Sequence, residues 1–184
     1  MSVRRLAPAL VAVSLAACQA DKAVAPESGH MHPEAVKVAE VQQSDLNKLR
    51  RATDPFHKLR DAKAAGWRFI IPNLDGSLCF TKPNAAMGFH FANTALIGDG
   101  VVDIKHPEAL IFEPQAGGGM RFVGVEYLVP IDLWHEPTPP RLFGRQFAVV
   151  EGFGVYGLHV WIERENPRGL FAPWNPDVSC EFAD

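Results

Sequence analysis

Three apolar runs in this chain carry a glycine two residues before an ionisable side chain: Gly88-Phe89-His90, Gly124-Val125-Glu126 and Gly157-Leu158-His159. Each run reads as a β-strand, in which residues i and i+2 share a face. Gly88, His90 and Ala92 share one face and are opposed by Met87, Phe89 and Phe91. Val155, Gly157, His159 and Trp161 are opposed by Tyr156, Leu158, Val160 and Ile162, while Glu126 shares its face with Met120, Phe122 and Leu128. Strands apolar on both faces are buried on both, so two imidazoles and a carboxylate are expected inside the fold. Each glycine is expected to leave a side-chain-sized gap beside its neighbour.

Burial of these groups has a cost. An unpaired buried carboxylate costs several kcal/mol or gives up its charge, and each glycine within a strand costs about 0.5–1 kcal/mol relative to alanine. A net stability of about 5–15 kcal/mol requires compensation from a metal ion, a ligand or a hydrogen-bond network among the three residues. Imidazole and carboxylate are donors for zinc, iron and, with more histidine, copper. The favoured reading is therefore a divalent metal ion held by His90, Glu126 and His159, with His135 in a proline-rich loop as a fourth ligand. His106 and Glu108 are weaker candidates and read as solvent-exposed residues ahead of a strand. Three other readings stay open: a purely structural network, a general base at Glu126 or a histidine, and a pocket for a small hydrophobic ligand. That pocket would be lined by Phe89, Phe91, Phe122, Tyr127, Trp134 and Trp161.

Some chemistry is disfavoured. The chain has no Gly-x-Ser-x-Gly, phosphate loop or dinucleotide fingerprint, since Gly117-Gly118-Gly119 falls in a hairpin and does not join a strand to a helix. Net charge is −3 with basic residues scattered, so nucleic acid is not an expected partner.

The N-terminus points to export. Arg4 and Arg5 precede an apolar stretch from Leu6 to Ala16 that is too short to span a bilayer, which reads as a signal peptide over residues 1–17. Leu15-Ala16-Ala17-Cys18 resembles the lipobox of bacterial lipoproteins, which implies lipidation of Cys18. Gln19 resembles an outer-membrane sorting residue, implying a lipid anchor at the periplasmic face of the outer membrane. Residues 18–35 are rich in Ala, Pro, Ser and charge and read as a flexible tether. With Cys18 assigned to lipid, Cys79 and Cys180 remain. In an oxidising compartment they are expected to form a disulfide, the alternative being two buried thiols.

Residues 36–184 read as a single α+β domain with N-terminal helices packed on a mainly antiparallel, twisted or partly barrelled β-sheet. Amphipathic spacing predicts a helix over Val36 to Arg51, and Asp54, Pro55 and Gly66 bracket a second over 55–65. Strands are expected near 67–71, 78–80, 87–93, 109–113, 120–131, 146–150 and 155–163. Pairing Ala109–Glu113 with the following strand symmetrically about Gly117 sets Glu113 opposite Arg121 as an ion pair and Glu108 near Glu126.

Four segments, Ala86-Met87-Gly88-Phe89-His90-Phe91, Val123 to Tyr127, Leu158 to Trp161 and Phe171 to Cys180, carry a family resemblance. In them the chain resembles a family of uncharacterised secreted bacterial proteins and lipoproteins, with Ala86 where the family pattern has a glycine. The resemblance spans about Ala65 to Cys180. It implies an exported domain and supplies no mechanism.

Overall fold

The computed structural model describes residues 33–183, and their side chains from residue 39. The expected signal peptide, the lipidation site Cys18 and nearly all of the tether lie outside the described residues. Helix α1 (Pro33–Thr53) starts within the expected tether and buries Leu46 and Leu49, although Val41, on the expected apolar face, is exposed. Pro55 lacks the amide needed to continue this helix, and the Thr53 hydroxyl donates to the Leu49 carbonyl at 3.0 Å. The single helix expected over 55–65 is instead a 3₁₀ turn, Asp54–Phe56, and a short α2 (Leu59–Ala64). Lys58 separates them because its backbone is extended, with φ −96° and ψ 124°.

The remaining described residues supply nine strands, one short α-helix and a 3₁₀ turn at Ile131–Leu133: β1 (Phe69–Ile70), β2 (Cys79–Lys82), β3 (Ala85–Ala92), α3 (Thr94–Ile97), β4 (Ala109–Gln115), β5 (Gly119–Pro130), β6 (Arg141–Leu142), β7 (Arg145–Gln146), β8 (Ala148–Val150) and β9 (Val155–Val160). The main sheet runs β1-β3-β4-β5-β9-β8 with β2 also paired to β3, and β6 and β7 form a separate ribbon. Every pair is antiparallel. The fold is α+β, and its twisted sheet stays open without closing into a barrel.

Two bulges bend this sheet. In β3, Phe80 pairs with Gly88 and Thr81 with Ala86, so Met87 is the extra residue, and Gly88 takes φ +97° to accommodate it. In the central hairpin Glu113 faces Arg121 as the symmetric count requires, but Phe112 pairs with Phe122 and Ile111 with Gly124. Val123 is therefore extra, and Ala109 rather than Glu108 lies opposite Glu126. The expected Glu113–Arg121 ion pair is absent, because the Glu113 carboxylate instead accepts the Ser179 amide at 3.0 Å.

Each face of the sheet is covered. Phe89, Phe91, Phe112 and Tyr127 belong to the main core with Leu46, Leu49, Ala62 and Trp67 from the helical region. On the other face the C-terminal segment packs: Val178 joins Ile111, Val123 and Trp161. The Trp161 indole donates to the Ala172 carbonyl at 2.6 Å. Ala86 and Asn175 exchange backbone hydrogen bonds at 3.0 Å, and a Cys79–Cys180 disulfide fastens the segment to β2.

Candidate metal centre

Four adjacent strands build the site. On β5, Glu126 lies directly opposite His159 of β9 and Ala109 of β4, and on β3 His90 lies opposite Ile111 of β4. Directly opposed residues share a face, so the pairing places all three ionisable side chains on the face covered by the C-terminal segment. Ala109, small and fully buried, lies between Ala92 and Glu126 and leaves room for His90 and Glu126 to reach over it. Neighbouring strands stand about 4.8 Å apart. For β3 and β9 to bring their imidazoles together across two intervening strands, the sheet must curl around this face, as the two bulges allow.

The side chains converge. His90 Nε2 lies 3.2 Å from His159 Nε2 and 3.3 Å from Glu126 Oε2, while His159 Nδ1 lies 3.2 Å from Glu126 Oε1. All three residues are buried, with 2%, 7% and 6% exposure for His90, Glu126 and His159. They form a group that could hold a metal ion. Tetrahedral donors about 2.0–2.1 Å from zinc stand roughly 3.3–3.4 Å from one another, close to the two separations that His90 Nε2 makes with His159 Nε2 and Glu126 Oε2.

Burial sets the protonation states. Desolvation pushes His90 down to about 4, weakly opposed by the Gly88 carbonyl, which falls short of hydrogen-bond geometry. Desolvation and then the neighbouring His90 hold His159 well below the ordinary imidazole range. Desolvation, and after it the charge of Glu108, pushes Glu126 up to about 8. The imidazoles are thus neutral, with a lone pair each to offer.

Hydrogen bonding alone does not settle this group comfortably. A proton on His159 Nδ1 serves Glu126 Oε1 and leaves a lone pair on His159 Nε2, which faces His90 Nε2. A proton on His90 Nε2 serves both that lone pair and Glu126 Oε2 only if Glu126 is ionised, which buries a full negative charge. With Glu126 neutral, each assignment either turns two protons on one another or strands the His90 proton on Nδ1. That atom is buried and has no hydrogen-bond partner among the described residues.

The glycines do not leave gaps. A Cβ on Gly88 would meet the Phe112 carbonyl oxygen at 2.6 Å and one on Gly124 the Val160 carbonyl oxygen at 2.6 Å, so these residues admit neighbouring backbone. At Gly157 it would meet Val150 Cγ2 at 2.6 Å and Glu126 Oε1 at 3.2 Å, so this glycine alone makes room for a site residue.

Other expected residues fall elsewhere. His135 is exposed on its loop and outside the buried group. His106 is exposed as expected and lies 2.9 Å from Asp103. Glu108 is not exposed: at 1% it is among the most buried side chains, and its Oε2 accepts the Leu128 amide at 3.0 Å. Desolvation, against the pull of that bond, raises Glu108 to about 8. Its parity with Leu110 and Phe112 was the sequence signal for burial.

The aromatic pocket is also relocated. Phe89, Phe91, Phe122 and Tyr127 are buried in the main core, Trp134 packs against it, and Trp161 lies in the second cluster. None lines the cavity that opens onto His90, Glu126 and His159. This cavity, about 1340 Å³, has its aromatic walls at Phe69, Phe80, Phe153, Phe171 and Trp174. Phe80 meets the His90 ring edge-on at 4.7 Å. Strand parity separates these two sets, because Phe89 and Phe91 must point away from any space that His90 faces.

No protein-family model, curated protein or solved structure matches this chain.

Proposed function

We propose that this protein is an exported, lipid-anchored metal-binding protein that holds one divalent ion through His90 Nε2, His159 Nε2 and Glu126 Oε2. The observation that carries this reading is the convergence of two neutral imidazoles and one carboxylate in a buried site, with His90 Nε2 3.2 Å from His159 Nε2 and 3.3 Å from Glu126 Oε2. A cation takes one lone pair from each ring and one from Glu126, and leaves the His90 proton on Nδ1 just as the neutral network does. In that state Glu126 Oε1 accepts the His159 Nδ1 proton, which orients the ring in the manner of the carboxylate partners of metal-bound histidines. Two histidines and one carboxylate suit zinc or ferrous iron. Without His135 the set lacks the extra histidine that copper would favour. Three protein donors leave coordination positions free for water or a ligand, and the adjoining cavity gives access to them. The lipid anchor at Cys18 and a periplasmic location are supported by the signal-peptide and lipobox pattern.

Elemental analysis of the purified chain, beside a His90→Ala/His159→Ala double variant, tests the metal. About one equivalent of zinc or iron in the wild type and none in the variant is the expected result. A metal-free wild type that does not take up zinc or ferrous iron, and whose folding is lost in the variant, would make the cluster a structural network.

A further inference from the structure

The cavity beside the cluster is much larger than a metal ion needs, and its buried and exposed lining residues differ in character. Its inner end is the buried group of His90, Glu126 and His159, and its body is apolar, with Leu128, Phe80 and Phe153 among the walls. Its exposed residues include three cations, Lys82, Arg145 and Arg168, against one exposed acid, Glu151. None of the three cations forms an ion pair among the described residues. Two of them rest on aromatic residues of the same cavity: Lys82 Nζ lies 4.4 Å from the Trp174 ring centre and Arg145 Cζ 5.4 Å from that of Phe171. Such cation–π contacts hold a charge in place without neutralising it.

The geometry points to an amphipathic acid as the occupant: a small molecule with an apolar chain or ring in the cavity and one carboxylate at the Lys82, Arg145 and Arg168 rim. An acid group placed at the inner end would face the Glu126 carboxyl, whereas at the rim it meets positive charge without a partner. A neutral or cationic amphiphile would fill the same apolar walls but leave the cations unanswered. Arg forks are suited to carboxylates, and an apolar cavity with a few placed polar groups is the usual form of a small-molecule site. This assignment does not depend on the metal.

Calorimetric titration of the full chain with decanoate, decanol and decyltrimethylammonium, each below its aggregation concentration, tests the inference. Decanoate is expected to bind at least about tenfold more tightly than decanol, the sum of three modest rim contacts. A Lys82→Gln/Arg145→Gln/Arg168→Gln variant, confirmed folded by its melting curve, should lose that preference while keeping its affinity for decanol. Wild type treated with chelator should bind decanoate as before. Equal binding of the three probes, no binding, or a preference that survives in the rim variant would overturn the assignment. Loss of decanoate binding on metal removal would likewise overturn it, because the acid would then sit on the metal.

Discussion

His90 and His159 face each other through their Nε2 atoms at 3.2 Å, although β4 and β5 lie between their strands. On the proposed reading, a divalent ion between them and Glu126 finds its donors assembled only in the folded chain, and so adds stability by mass action. With zinc at one hundred times its Kd the gain is about 2.7 kcal/mol. Thermal melts should show the wild type shifting upward by several degrees with zinc, and Glu126→Gln shifting little. Equal shifts in both would place the ion elsewhere.

Metal binding should release one proton between pH 5 and 7. Glu126, raised to about 8, must give up its proton to become a ligand, while His90 is already neutral down to about 4. Affinity is therefore expected to fall about tenfold for each pH unit below 8. Calorimetry in buffers of different ionisation enthalpy reads the proton count directly, and a count of zero would mean that Glu126 is ionised in the metal-free protein.

Glu108 should make the metal-free protein less stable at alkaline pH. Its pKa is raised in the fold to about 8 from an ordinary 4.5, so the folded state binds the extra proton and stability falls as pH rises through that window. His90, lowered from 6.5 to about 4, acts in the opposite sense below pH 6.5. Between pH 6.5 and 8 the carboxyls act without that opposition, each costing about 2 kcal/mol. Urea denaturation of the chelated protein should show this decline, and Glu108→Gln should roughly halve it while keeping an acceptor for the Leu128 amide.

Alanine at Gly124 and at Gly157 should fail differently. At Gly124 the added carbon meets the Val160 backbone, so β5 and β9 must part, whereas at Gly157 it meets the end of the Val150 side chain and Glu126 Oε1. Overpacking costs about 1–3 kcal/mol. Gly124→Ala is expected to cost more stability in denaturant melts, and Gly157→Ala to weaken zinc binding more for the stability it loses.

The Cys79–Cys180 bond joins β2, which carries the cavity wall Phe80, to the C-terminal segment that supplies Phe171 and Trp174. It closes a loop with a sequence separation of 101, for which chain entropy predicts a stabilisation of about 4–5 kcal/mol. Denaturation with and without reductant should show a loss of that order, with increased binding of a hydrophobic dye as the cavity wall loosens.

What the sequence determined by itself was local and periodic. Alternation put His90 opposite in facing to Phe89 and Phe91, the glycine turn set Glu113 against Arg121, and cysteine count paired Cys79 with Cys180. These follow from the two-residue repeat of a strand, from turn geometry and from redox chemistry, none of which requires knowing the rest of the chain. Tertiary structure decided what depends on bulges and on distant segments. The extra residues at Met87 and Val123 bend the sheet, put Ala109 opposite Glu126 and let His90 reach His159. His135 stayed in solvent because its loop does not fold back over the cluster, and Glu108 became buried. The cavity walls come from Phe80, Phe153, Phe171 and Trp174, which chain folding brings together from separate segments. A one-residue shift in register reverses which face a side chain takes, so local pattern alone could place His90, Glu126 and His159 in strands but not around one point.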